Sequence, residues 1–261
     1  MKKTIIVFVF SFTTLLSLAQ QPNFQWAKPI GGSALDEGYA VTTDAAGNVY
    51  TTGSFNGTVD FDPGPGVFNL SGNPKTFIVK LDASGNFIWA KNTNVISSNA
   101  ITVDANGNVY TTGRFGGITD FDPSAGFFNL TSNGLDDIFV LKLDASGNFV
   151  WAKNVGGSQS GDQGLSIAVD VSGNVYTTGI FVGSGDFDPG PGIFNLTPAS
   201  TNNAEIFILK LDVSGNFIWA KNMGSTGNDY GFSIAVDAAQ NVYSTGLFGL
   251  IGDFDPGPAI Y

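Results

Sequence analysis

The chain contains no cysteine and no histidine. The first absence excludes disulfides and thiolate metal sites. The second excludes a Ser-His-Asp triad and imidazole-ligated metals. Glutamate is almost missing too: Glu37 and Glu205 stand against 20 aspartates. Aspartate forms turns where glutamate favours helices, so the acidity is tied to turns. Charged residues are only 13% of the 261 positions while apolar residues are 43%, which is too apolar for a disordered chain. No amphipathic helical pattern occurs beyond the N-terminus. The formal net charge is −11, or −13 without Lys2 and Lys3. That balance excludes nucleic acid and anionic lipid as natural partners and favours cations or basic partners.

A long apolar run is also missing. The N-terminal "MKKTIIVFVFSFTTLLSLAQ" has a basic start, an apolar stretch from Thr4 to Leu16, and the small-x-small triplet Ser17-Leu18-Ala19. The stretch falls short of the ~18 residues of a membrane span, so residues 1–19 read as a cleaved signal peptide. The mature chain, residues 20–261, is then expected to be secreted or displayed at the cell surface, with no integral membrane segment after cleavage.

Glycine, by contrast, is abundant: 35 residues, nearly twice the usual ~7%. It recurs in register with internal repeats. "NVYTTG" or "NVYSTG" starts at Asn48, Asn108, Asn174 and Asn241, and "WAK" at Trp26, Trp89, Trp151 and Trp219. The unit is about 60–68 residues. Within it an Asp-x-x-Gly-Asn motif appears at Asp44, Asp82, Asp104, Asp144, Asp170 and Asp212, with Gln240 replacing glycine in a seventh copy from Asp237. Each copy lies between apolar, β-branched or aromatic runs. The pattern predicts a three-residue hairpin loop, a type I turn closed by an αL residue in a G1 bulge. Aspartate accepts from backbone N–H groups two residues on, and glycine takes the positive φ.

These hairpins define four strands per unit, A to D. In the second unit they are predicted at Ala100 to Val103, Val109 to Phe115, Ile138 to Leu143 and Phe149 to Lys153. Strands such as "FIVKL" and "IFILKL" are apolar on both faces, as in sheets sandwiched between sheets. The fold class is therefore all-β, a β-propeller of four-stranded antiparallel blades. "FQWAK" at Phe24 to Lys28 matches strand D with nothing before it. One strand D, three full blades, and A and B of a fourth make about three and a half blades. A truncated array is expected; a four-bladed ring completed by a further strand C is the alternative.

"GNVYTTGSF…DF" and "FIVKLDASGNFIWAK" resemble the bacterial β-propeller repeats called SBBP, over almost all of the mature chain. The resemblance implies an exported or cell-surface propeller, often within a large multidomain protein, and implies no defined reaction.

Chemistry is most concentrated at "DFDPGPG" and its copies. The B–C corners carry Asp60 and Asp62, Asp120 and Asp122, Asp186 and Asp188, and Asp253 and Asp255. Asp36, Asp162 and Asp229 join them from D–A loops. In an extended segment residues i and i+2 point the same way, so each pair can begin a calcium site of oxygen ligands. The competing reading is a proline turn capped by aspartate. No catalytic residue and no other cofactor is expected, because every unit carries the same pair and acid–base chemistry needs unlike carboxylates. The four tryptophans read as packing between blades, with sugar stacking as the alternative. Arg114, where other units have Ser54, Ile180 and Leu247, breaks the pattern and reads as a solvent-exposed substitution. The function expected is a binding or scaffold module for a polysaccharide or protein ligand. A carbohydrate-active hydrolase or lyase on the Asp-rich face, or a purely structural spacer, are the alternatives.

Overall fold

The computed structural model describes residues 24–159 and 161–252. The expected signal peptide and the fourth Asp pair, Asp253 and Asp255, lie outside the described residues. Among the described residues there is no helix. Blade 1 is β1 (Glu37–Thr43), β2 (Val49–Asp60), β3 (Asn69–Leu81) and β4 (Phe87–Thr93), antiparallel and in that spatial order. The second unit runs β5 (Ser97–Val103), β6 (Val109–Phe115), a short pair β7 (Ile118–Asp120) and β8 (Asn129–Thr131), then β9 (Asp137–Leu143) and β10 (Phe149–Gly157). The third runs β11 (Gln163–Val169), β12 (Val175–Val182), another short pair β13 (Gly185–Asp186) and β14 (Asn195–Leu196), then β15 (Ala204–Leu211) and β16 (Phe217–Met223). The hairpin β17 (Tyr230–Val236) and β18 (Val242–Leu247) begins a fourth blade.

The predicted strands A to D are thus the frame of each blade. The short pairs were not expected. They extend B and C outward, and in blade 1 they are continuous with β2 and β3. The pair in the third unit also bonds to the preceding blade, Gly156 and Gly157 of β10 facing Asp186 and Gly185 of β13. The first strands of successive blades, β1, β5, β11 and β17, lie side by side, as expected for innermost strands arranged around an axis.

Phe24 to Lys28 forms no strand, which corrects the expected strand D: no strand C lies beside it among the described residues. Its side chains nevertheless dock like those of a strand D. Trp26 Nε1 donates to the Ala83 carbonyl at 3.0 Å. Trp89 and Trp151 do the same to Ala145 and Val213, each at 3.2 Å and each in the next C–D turn. Tryptophan therefore latches one blade to the next, as the packing reading expected.

Behind this latch each blade stacks the same set. Tyr50, Tyr110 and Tyr176 are fully buried and meet Trp89, Trp151 and Trp219 edge-on at 6.2–6.5 Å. Lys80, Lys142 and Lys210 lie over the tyrosine rings at 4.9–5.0 Å, a cation–π contact. Opposite them, Val109, Phe139, Leu141 and Leu143 of blade 2 pack on Tyr50, Ile78 and Trp89 of blade 1. The cores thus lie between blades, which is why the strands are apolar on both faces.

The final glycine of the "TTG" motif is explained by crowding. A Cβ on Gly53, Gly113, Gly179 or Gly246 would sit 1.9–2.0 Å from the carbonyl oxygen of the paired strand A. The preceding threonines Thr52, Thr112 and Thr178 are buried, and each hydroxyl donates to a strand C carbonyl at 2.6–2.8 Å. Burial of these hydroxyls is thereby compensated.

Candidate functional site

The Asp-x-x-Gly-Asn turns are structural in every copy. In the A–B turn at Asp104, Oδ1 accepts from the backbone N–H of Asn106 and Asn108, and Oδ2 from Asn108 Nδ2 and Tyr110 Oη. Partial burial pushes this carboxyl upward, but those donors outweigh it and hold it below the usual range. Asp44, Asp82, Asp144, Asp170, Asp212 and Asp237 are lowered in the same way by the donors of their own turns. These carboxylates are spent on the fold and sit on the face opposite the B–C and D–A loops.

The B–C corners show the same economy. Asp60 Oδ1 accepts from the N–H groups of Asp62 and Phe68 at 3.0 and 2.8 Å, and Asp62 Oδ1 from Gly64 N–H at 2.8 Å. Asp120 and Asp122, and Asp186 and Asp188, repeat these bonds with their own loops. Phe61, Phe121 and Phe187 are fully buried beneath, held in edge-on or tilted stacks such as Phe55–Phe61 at 5.3 Å and Phe61–Phe77 at 5.0 Å. In the three described corners the backbone N–H of the second aspartate of each pair donates to the carboxylate of the first. Among the described residues no three acidic side chains converge on a metal position.

The D–A aspartates act as clamps. Asp162, fully buried, accepts from Gly157 N–H at 2.8 Å and Val182 N–H at 2.9 Å, tying its loop to the end of strand B. Asp36 joins Gly32 and Asn56, and Asp229 joins Ser225 and Gly249, in the same manner.

With the repeated groups accounted for, what remains on this face are the residues that differ between units. Arg114 Nη1 pairs with Asp136 Oδ2 at 3.1 Å, and Arg114 Nε is buried with no partner among the described residues. The Arg114 side chain is 39% exposed, in keeping with the exposed substitution the sequence indicated, and it is ion-paired as well. In blade 1, Tyr39 Oη donates to Glu37 Oε2 at 3.0 Å and shares a hydrogen bond with Ser54 Oγ at 2.8 Å. A cleft of about 360 Å³ lies beside them, lined by Tyr39, Ser54, Lys75, Asn94 and Ile96. The backbone carbonyl of Arg114 accepts from Ile96 N–H at 3.1 Å, which links the cleft wall to the Arg114 strand. Sequence reasoning passed over Glu37, Tyr39 and Asp136. The signal that could have found them is unit-to-unit difference at aligned positions, the same signal that exposed Arg114.

Residues 13–59 match the model of the SBBP beta-propeller repeat. The match is to this stretch alone; among the described residues the later units repeat the strands and turns of blade 1, and the fold is all-β, built of propeller blades. Two relatives bear on the wider family. One is an uncharacterized WD repeat-containing protein of Acanthamoeba polyphaga mimivirus, 28% identical over 62% of this chain and 13% of that relative. The other is the regulatory protein FlaEY of Caulobacter vibrioides, 24% identical over 76% of this chain and 21% of that relative. The chain therefore spans about a fifth or less of the length of these relatives. A crystal structure of a protein of unknown function from Bacteroides caccae aligns at 13% identity with a TM-score of 0.24, over 72% of this chain and 82% of that one. That similarity is too low to bear on the architecture.

Proposed function

We propose that this is an exported binding or scaffold module that meets a polysaccharide or protein ligand at the cell surface. The contact face is the one formed by B–C and D–A loops, around Arg114–Asp136 and Glu37–Tyr39–Ser54. One observation carries the reading. The repeated carboxylates cap their own loops, whereas Glu37, Tyr39, Ser54 and Arg114 at the ends of strands A and B, and Asp136 just before strand C, have no equivalent in the other units. A binding surface needs such unit-specific groups, since a fold repeated in every blade offers only the same contact again. The signal-like N-terminus supports export, and no helix among the described residues is long and apolar enough to cross a membrane.

Screening the full-length protein on glycan and protein arrays tests this. Binding that falls at least tenfold in the Arg114→Ala and Tyr39→Phe variants is the expected result. Steady turnover of a substrate with no stable complex would overturn it. Calcium at the paired loop aspartates is a separate proposal, supported by the i, i+2 spacing of Asp60 and Asp62 and their copies. Binding heat together with a rise in melting temperature at millimolar calcium is expected from it; neither appearing would remove it.

A further inference from the structure

Two blade junctions bury acids in pairs. Asp137, at the start of strand C in blade 2, and Asp162, in the following D–A loop, are both fully buried. They face the same backbone atom: a Cβ on Gly156 would lie 2.9 Å from Asp137 Oδ1 and 2.8 Å from Asp162 Oδ2. At the next junction Glu205 and Asp229 flank Gly224 in the same way, 2.9 Å from Glu205 Cγ and 2.6 Å from Asp229 Oδ2. The first junction provides an internal comparison. Lys75 pairs with Phe55 as Asp137 pairs with Phe115 and Glu205 with Phe181. There Asn94 replaces the glycine, and the loop Asn94-Val95-Ile96 has no aspartate. The strand acid, the glycine and the loop acid are thus present together twice and absent together once.

Like charges brought this close out of water cannot both remain ionised at little cost; one takes up a proton. The hydrogen bonds point to where it goes. Asp137 Oδ2 accepts from Asn133 N–H at 3.0 Å and Asn154 Nδ2 at 3.2 Å, and both oxygens of Asp162 accept from backbone N–H groups. Asp137 Oδ1 is buried without any partner among the described residues. We propose that each pair holds a proton, on Asp137 Oδ1 at the first, so that the D–A clamps close in mild acid and loosen toward alkaline pH.

The surrounding charges favour this. Burial raises Asp137 against the pull of Asn133, Asn154 and Gly134, and Asp136 adds to the rise. Burial likewise pushes Asp162 up to about 6 against the Gly157 and Val182 amides, with Asp137 and Asp136 adding to it. Asp136 is itself paired with Arg114. Burial raises Glu205 against Ala199 and Asn222, and the Asp229 charge contributes.

Hydrogen exchange on the full chain, corrected for the intrinsic pH dependence, tests the proposal. Protection at the Gly157 and Val182 amides should fall between about pH 3.5 and pH 7 by up to roughly a hundredfold, a factor of ten per pKa unit of the shift. The Ile96 amide, at the junction without the acids, should hold its protection. In Asp137→Asn, which places a permanent donor beside Asp162, the fall should disappear. Equal profiles at all three amides, or an unchanged fall in the variant, would overturn the proposal. So would a loss of protection on adding EDTA at fixed pH, which would put a metal ion between the acids. Should Asp137→Asn not fold, the comparison of Gly157 and Val182 with Ile96 in the natural protein still decides.

Discussion

Gln240 is the clearest case of a residue whose backbone decides its energetics. Six of the seven Asp-x-x-Gly-Asn turns give the αL position to glycine, with φ between +77° and +82°, and the seventh forces Gln240 to φ +67°. The turn keeps its bonds regardless: Gln240 N–H donates to Asp237 O, and Asp237 Oδ1 accepts from Ala239 and Asn241. An L-residue pays roughly 1 kcal/mol or more for that well, so Gln240→Gly is expected to stabilise the chain by about 1 kcal/mol. Urea denaturation checks this, with the midpoint rising and the slope unchanged. The converse holds at Asp104, whose carboxylate accepts four hydrogen bonds. Asp104→Ala leaves the buried Tyr110 hydroxyl and two backbone N–H groups without that acceptor and should cost about 2–3 kcal/mol in the same measurement.

At the scale of the element, the strand D tryptophan joins one blade to the turn of the next. Trp151 meets Tyr110 edge-on, donates to Val213 O, and packs against Gly215, where a Cβ would fall 3.1 Å from the indole. Trp151→Ala should therefore cost about 3–5 kcal/mol. Trp219→Ala should cost less, because Trp219 is only partly buried, with no following C–D turn beside it among the described residues. Thermal melts of the two variants give the comparison; equal losses would show that the latch adds nothing beyond the blade's own packing. This latch was legible in the sequence as a tryptophan once per unit, and the strands and turns were legible as alternating apolar runs around Asp-x-x-Gly-Asn. The outward pairs β7–β8 and β13–β14 were not. They are two or three residues long and flank an Asp-Pro-Ser or Asp-Pro-Gly segment that reads only as a turn. Nor was the burial of Asp137 and Glu205 legible. An acid at a strand start looks solvated until the fold sets another acid, more than 20 residues away in sequence, against the same glycine.

Across the whole molecule the aspartates divide into two populations whose pH responses oppose each other. The seven turn carboxylates are held below their ordinary value, so the stability they contribute is full above pH ~4 and is lost as pH falls through their lowered pKa values. Asp162 lies at about 6, above its ordinary 3.8, and Asp137 and Glu205 are raised too. A raised acid binds its proton more tightly in the folded state. Its contribution is complete below about pH 4 and is lost as pH rises through the raised value. The two populations leave a shared window of greatest stability near pH 4–5, below the neutral optimum common for proteins. Melting temperature followed from pH 3 to pH 8 should thus pass through a maximum in mild acid and decline toward pH 7. In the double variant Asp137→Asn with Glu205→Gln the alkaline side should flatten while the acid side is unchanged, since the turn aspartates remain. A maximum at neutral pH in the natural chain would mean that the buried pairs cost the fold little. A double variant that flattened the acid side instead would assign that decline to the junctions and not to the turns.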